Sequence, residues 1–344
     1  MKPYSPPLEG RDPRASLLLD FNESVIPPPP EVGQALRRFI EQGRLQVYPD
    51  YDGFESRLAA YHGLSPDQLI VTNGSDQGID IALRALLDAG DTMVFPEPSF
   101  AMWPQVAHSL DAKIVSPPYR EDMSFPLEAV RSALTPDARV LAIVNPNNPT
   151  GSMIGEADLE GLLREFPRVA VLVDEAYVEF SGRSILPWVS RFDNLAVFRT
   201  FSKAYAIPSL RLGFVASNPA FITELYKIRG PYDVNMMAIA AAEAQLEHPE
   251  HWRRYVRDVM EAAKPRVEAF LRERGVRFYP SEANFLLIRP QDCAGAVAYL
   301  KSRGILVRPQ KGLAGGCFRV SIGPPKAMET FMAAYGDYVS KHGA

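Results

Sequence analysis

Long apolar runs are missing from this 344-residue sequence, as are cysteine clusters and any large excess of one charge. No stretch approaches the ~20 apolar residues needed to span a bilayer. Near the start there is only the short run Leu17 to Leu19, and no signal-peptide core. A cytoplasmic protein without a membrane partner is therefore expected. The two cysteines, Cys293 and Cys317, cannot make a disulfide framework or a CxxC metal site, so a reducing compartment and no bound metal are expected. A net charge of −4 gives no electrostatic reason to expect nucleic acid as a partner.

What is present is an ordinary globular composition, 47% hydrophobic and 23% charged, in a chain long enough for one large domain and one small one. Short apolar runs bounded by turn residues, "LIVT" (69–72), "TMVF" (92–95), "VLAIV" (140–144), "VAVLV" (169–173) and "LAVF" (195–198), read as strands buried on both faces. Helical patterns such as 75–90 and 155–166 lie between them. The alternation predicts an α/β domain whose sheet is mostly parallel and flanked by helices.

From about Pro249 a long charged periodic helix leads into strands "RFYP", "NFLLI" and "CFRVSI", the pattern of a smaller α+β domain. The prolines Pro27 to Pro30 form a stiff extended segment. The expected division is an N-terminal arm over 1–30, a large domain over 31–248 and a small one over 249–344.

Ligands on open parallel sheets sit at the carboxyl ends of the strands, and several of these runs end in chemistry. After "LIVT", Asn73-Gly74-Ser75-Asp76 opens a helix, either as an anion site or as a plain N-cap by Ser75 or Asp76. "VLAIV" ends in "NPNNPTG", which holds Asn148 and is also a favourable turn composition. "VLVDEAY" puts Asp174 at the end of an apolar strand with Tyr177 beyond it. A buried carboxylate there is costly unless it is paired with a cation, as in a structural salt bridge, or well hydrogen-bonded.

"FRTFSKAYAIPSLRLGF" then gathers Thr200, Ser202, Lys203 and Arg211. Burial lowers the pKa of a lysine and makes it a nucleophile, while hydroxyls and an arginine hold phosphate. Phosphate, an aldehyde for an amine and a ring nitrogen wanting an anion are together the requirements of pyridoxal 5'-phosphate.

The ordered set "NNPTG", "VDEAY", "RTFSKAYAIPSLRLGF" and "KIRGPYDVN" resembles the fold-type I pyridoxal-phosphate aminotransferases, and within them the histidinol-phosphate branch, over almost the whole chain. The resemblance implies that Lys203 binds the cofactor's aldehyde, that Asp174 pairs with the ring nitrogen, and that Tyr177 and Asn148 hydrogen-bond the ring hydroxyl. It makes Ser75, Asp76, Thr200, Ser202 and Arg211 the phosphate cradle. It stacks Phe100 on the ring, where relatives commonly carry tyrosine. Tyr48 would reach the phosphate of a neighbouring subunit, which implies a homodimer. Arg319 and Arg308 would bind the acidic groups of the amino donor and the 2-oxo acid acceptor.

Asn22 belongs to an arm that covers the substrate in relatives. The arm here reads Asn22-Glu23-Ser24-Val25 in place of Asn-Glu-Asn-Pro. Trp103 and Tyr232 are further candidates to line the pocket, although aromatics at such places are usually core.

Transamination of histidinol phosphate with 2-oxoglutarate is thus the expected activity. A threonine-phosphate decarboxylase-like lyase is the alternative, since it shares the lysine segment. A regulator using such a domain as a sensor would carry an added helix-turn-helix domain, and this chain reaches its aminotransferase-like part within about twenty residues.

Overall fold

The computed structural model describes residue 8 and residues 10–343; the rest of the stretch assigned to the arm, and Ala344, lie outside the described residues. In chain order the strands are β1 (Leu17–Leu19), β2 (Leu69–Thr72), β3 (Thr92–Val94), β4 (Lys113–Val115), β5 (Ala138–Val144), β6 (Ala170–Asp174), β7 (Leu195–Thr200), β8 (Gly213–Ser217), β9 (Arg277–Tyr279), β10 (Phe285–Arg289), β11 (Ile305–Pro309) and β12 (Phe318–Ser321).

Seven of them form one sheet in the order β2-β8-β7-β6-β5-β3-β4. Only β8 runs against its neighbours, so the sheet is mostly parallel as expected. Successive residues of the central strands enter opposite cores. Leu141, Ile143, Val171, Val173 and Val197 join one cluster, and Val140, Ala142, Leu172, Ala196 and Phe198 the other. Burial on both faces is why these strands read as unbroken apolar runs. The fold is α/β, with helices covering both faces.

The second sheet has the order β1-β11-β12-β10-β9 and is antiparallel except where β1 pairs in parallel with β11. The Leu17–Leu19 run, read as part of an arm, is thus an edge strand of this sheet. Its core also takes in Tyr177, Phe180 and Ala204, which follow strands of the first sheet. The two sheets therefore share apolar packing beside Asp174 and Lys203.

The long helix read after Pro249 is interrupted. Helix Glu250–Arg257 passes through a wide π turn, Asp258–Ala263, into helix Lys264–Glu273. Pro265 lies in the first turn of the last piece. Proline lacks an N–H and its ring crowds the carbonyl one turn back, so a wider turn accommodates it without breaking the chain direction.

Candidate active site

Asp174 closes β6 and Thr200 closes the adjacent parallel β7, so both side chains leave the carboxyl edge of the same sheet. Helix Gly74–Leu86 starts directly beyond β2, with Gly74 at φ +73° and Asn73 as an N-cap whose side chain makes no capping bond. Neither Ser75 nor Asp76 is the cap, and the first-turn N–H groups are not closed off by a capping side chain.

A Cβ on Gly74 would strike the Arg211 guanidinium, and one on Gly213 would come within 2.6 Å of the Ser75 backbone nitrogen. Glycine at both places lets Arg211 lie across the helix start. Its Nη2 donates to Asp76 Oδ2 at 2.9 Å and its Nη1 to Ser202 Oγ at 3.4 Å, while Thr200 Oγ1 donates to Ser202 Oγ at 2.9 Å. Helix N–H groups, two hydroxyls and a guanidinium thus converge, the donor set of a phosphate site. Asp76 holds the Arg211 guanidinium at this point.

Asp174 is only 2% exposed. It accepts from the Ala176 N–H at 3.1 Å and the Trp103 indole at 3.4 Å, and makes no ion pair among the described residues. Burial pushes its carboxyl up to about 7 against the pull of these two donors. A protonated ring nitrogen placed against it would remove that penalty, so the residue fits the partner of a pyridinium.

Lys203 Nζ donates to the Phe21 carbonyl at 2.9 Å and lies 5.8 Å from the centre of the Tyr177 ring. Desolvation, and after it the charge of Arg319, lower its pKa to about 8. Near neutrality an appreciable fraction is then the free amine that an aldehyde needs. The rate at which the apoprotein captures pyridoxal phosphate should rise about tenfold per pH unit below 8 and level off above it. Stopped-flow absorbance will show this, and Arg319→Leu should move the inflection upward.

Asn148 accepts a tight hydrogen bond from Arg319 Nη1, and Arg319 Nη2 donates to the Asp20 carbonyl at 2.6 Å. Arg308 pairs with Arg319 across β11 and β12. Its Nη1 is buried with no hydrogen-bond partner among the described residues, and the guanidinium lies 5.2 Å from the Phe21 ring. Like charges at directly opposed positions of neighbouring strands repel unless an anion joins them.

Asn22 is fully buried at φ 56°, with its N–H on Ser321 Oγ at 2.9 Å and its Nδ2 on the Tyr177 hydroxyl at 3.0 Å. Asn22 therefore touches the cofactor-side residues directly. Phe100 is half-buried against the cluster of Trp103 and Phe198. Tyr48 lies apart, 75% exposed and stacked on Tyr232 at 4.4 Å.

Of the two aromatics considered for the pocket, Trp103 is a fully buried wedge against Asp174 and Phe198, and Tyr232 is surface. Arg11, Asp20, Phe21, Asn284 and Ser321 also reach the site and were not anticipated. The Arg199–Glu175 ion pair behind it, at 2.8 Å, was missed as well. Arg199 stands beside Thr200 in "FRTFSK" and Glu175 beside Asp174 in "VDEAY", a sign that was available.

The sequence matches the aminotransferase class I and II family over residues 16–334. The chain belongs to that family. A histidinol-phosphate aminotransferase of Roseiflexus castenholzii is 36% identical to this aminotransferase over 352 residues, covering 96% of this chain and 94% of that one. The crystal structure of the Sinorhizobium meliloti histidinol-phosphate aminotransferase in complex with pyridoxal-5'-phosphate superposes with a TM-score of 0.85 at 25% identity, covering 94% of this chain and 91% of that one. The L-threonine-O-3-phosphate decarboxylase of Porphyromonas gingivalis superposes with a TM-score of 0.83 at 23% identity, covering 94% and 99%, and shares the fold alone. Among the described residues of this aminotransferase no helix is long and apolar enough to cross a membrane.

Proposed function

We propose that this aminotransferase uses pyridoxal 5'-phosphate to move the amino group of L-histidinol phosphate to 2-oxoglutarate, as a cytoplasmic homodimer. The observation that carries the substrate class is the cross-strand pair Arg308 and Arg319. Arg319 is close enough to Lys203 for its charge to lower that amine's pKa, and the Arg308 Nη1 is buried without a hydrogen-bond partner among the described residues. Planar, doubly donating arginines suit carboxylate and phosphate, the groups that both substrates carry. The relatives' names support the same reading.

Bound, the cofactor supplies an aldehyde that captures amines and a protonated ring that draws electrons from bonds at the substrate's α-carbon. Asp174 holds the ring nitrogen protonated. Ser75, Thr200, Ser202 and Arg211 hold the phosphate, and Asn148 and Tyr177 the ring hydroxyl. With the cofactor bound, Lys203 Nζ would be the base that takes the proton from the substrate α-carbon and, as its conjugate acid, the group that gives it back. The exposure of Tyr48, away from this chain's own site, supports the reading that it serves a partner's site in a dimer.

The test is an absorption scan of the loaded enzyme on mixing with L-histidinol phosphate. The visible cofactor band should be lost and then restored by 2-oxoglutarate. An unchanged band, together with carbon dioxide released from L-threonine phosphate, would replace this reading with the lyase.

A further inference from the structure

Residues 20–23 form a strap tied to the site by main-chain carbonyls. The carbonyl of Asp20 accepts from Arg319 at 2.6 Å, that of Phe21 from Lys203 at 2.9 Å and that of Asn22 from Asn284 at 3.2 Å. The strap also brings two carboxylates, Asp20 and Glu23, close to a centre that must admit anions. Left alone they would repel an acidic substrate and favour the charged form of Lys203.

One residue answers both carboxylates. Arg11 Nε donates to Asp20 Oδ2 at 3.0 Å, its Nη2 donates to Asp20 Oδ1 at 3.1 Å, and the same Nη2 makes a tight contact with Glu23. Its guanidinium also sits 4.2 Å from the centre of the Phe21 ring. The Arg11 side chain is 12% exposed and that of Asp20 7%, so water screens the Arg11–Asp20 contact weakly.

We propose that Arg11 is a positioning residue for the transamination. By neutralising Asp20 and Glu23 it keeps the strap's carbonyls on Arg319 and Lys203 and opens the site to acidic substrates. The inference rests on the reading of Lys203 as the reacting amine. Around that amine stand Arg319, Arg211, Glu23, Asp76, Asp174 and the Tyr177 ring, and of these Arg11 touches only Glu23.

The test reads Lys203 without cofactor or turnover. The apoprotein is labelled with acetic anhydride across a pH series, and the peptide bearing Lys203 is quantified by mass spectrometry. Arg11→Met should raise the labelling midpoint by about 0.5–1 pH unit, Glu23→Gln should lower it, and the double variant should return it close to wild type. A residue that only braced the fold would move stability and leave the midpoint alone.

In the loaded enzyme Arg11→Met should raise KM for 2-oxoglutarate about tenfold more than KM for a 2-oxo acid whose side chain is uncharged. Midpoints that stay put in both Arg11→Met and Glu23→Gln overturn the proposal, and so does an equal rise in KM for the two acids. Glu23→Gln, on a strap residue more exposed than Asp20, keeps the test open if Arg11→Met folds poorly. Midpoints that shift as expected in an enzyme unable to transaminate would overturn the proposed reaction and leave the role of Arg11 standing.

Discussion

Lys203→Ala is expected to lose at least about 10⁴-fold in turnover while keeping its fold, because in the proposed reaction one side chain supplies both the amine that binds the cofactor and the base that moves the α-proton. The fold has little to lose. The amine's hydrogen bond is to the Phe21 carbonyl, and losing one such bond removes about 1 kcal/mol. Two measurements separate chemistry from folding. Circular dichroism should match wild type, and borohydride treatment of the protein mixed with pyridoxal phosphate should fix the cofactor's mass on wild type and not on the variant. Turnover at the normal rate in Lys203→Ala would remove this residue from the reaction altogether.

Asp174→Asn is expected to lose about 10³-fold in activity and to change the pH dependence of the apoprotein's stability. An asparagine accepts a hydrogen bond but carries no charge to keep a ring nitrogen protonated. In the unfolded chain the carboxyl of Asp174 ionises near the ordinary ~3.9, and in the folded apoprotein near about 7. Between those values the folded state holds the extra proton, so stability falls as pH rises through that window and stays low above it. The total is on the order of 4 kcal/mol.

Glu179, also pushed up to about 7 by burial, adds a slope of the same sign. The contribution of Asp174 is therefore the difference between wild type and Asp174→Asn. Melting curves of both apoproteins at pH 5 and pH 8 measure it: wild type should gain more on acidification than the variant. Equal gains would mean that Asp174 is ionised and satisfied in the fold without a cofactor.

The sheet that carries the site was readable because its central strands are buried on both faces and so stand out as apolar runs. β4 has only three residues and lies at an edge with two exposed side chains, which leaves no such contrast. β8 begins in the last two residues of the motif segment, where Gly213 serves the approach to Ser75 and weakens the strand signal. The gathering of Asp174, Thr200, Lys203 and Arg211 at one edge of the sheet was legible from residue type and from their place at or just after strand ends.

The strap was not legible, because carbonyl oxygens bind Lys203, Arg319 and Asn284, and every residue has one. Arg11 left no mark either. Its partners Asp20 and Glu23 lie nearby in sequence, but nothing in their spacing says that one guanidinium joins both. Trp103 was noticed as an aromatic, and only the fold turns its indole N–H onto Asp174.

The pairing of β1 with β11 joins segments from near the two ends of the chain: Leu17 lies beside Ile305 and Leu19 beside Val307. During synthesis the seven-stranded sheet can assemble once Ser217 has left the ribosome, since all its strands lie between Leu69 and Ser217. Leu17 to Leu19 must wait until Ile305 to Val307 have been made, and closing so long a loop is slow. The strap that follows β1 therefore docks last, so a nascent or refolding chain passes through a stage in which the cofactor cradle exists and the substrate side is still open.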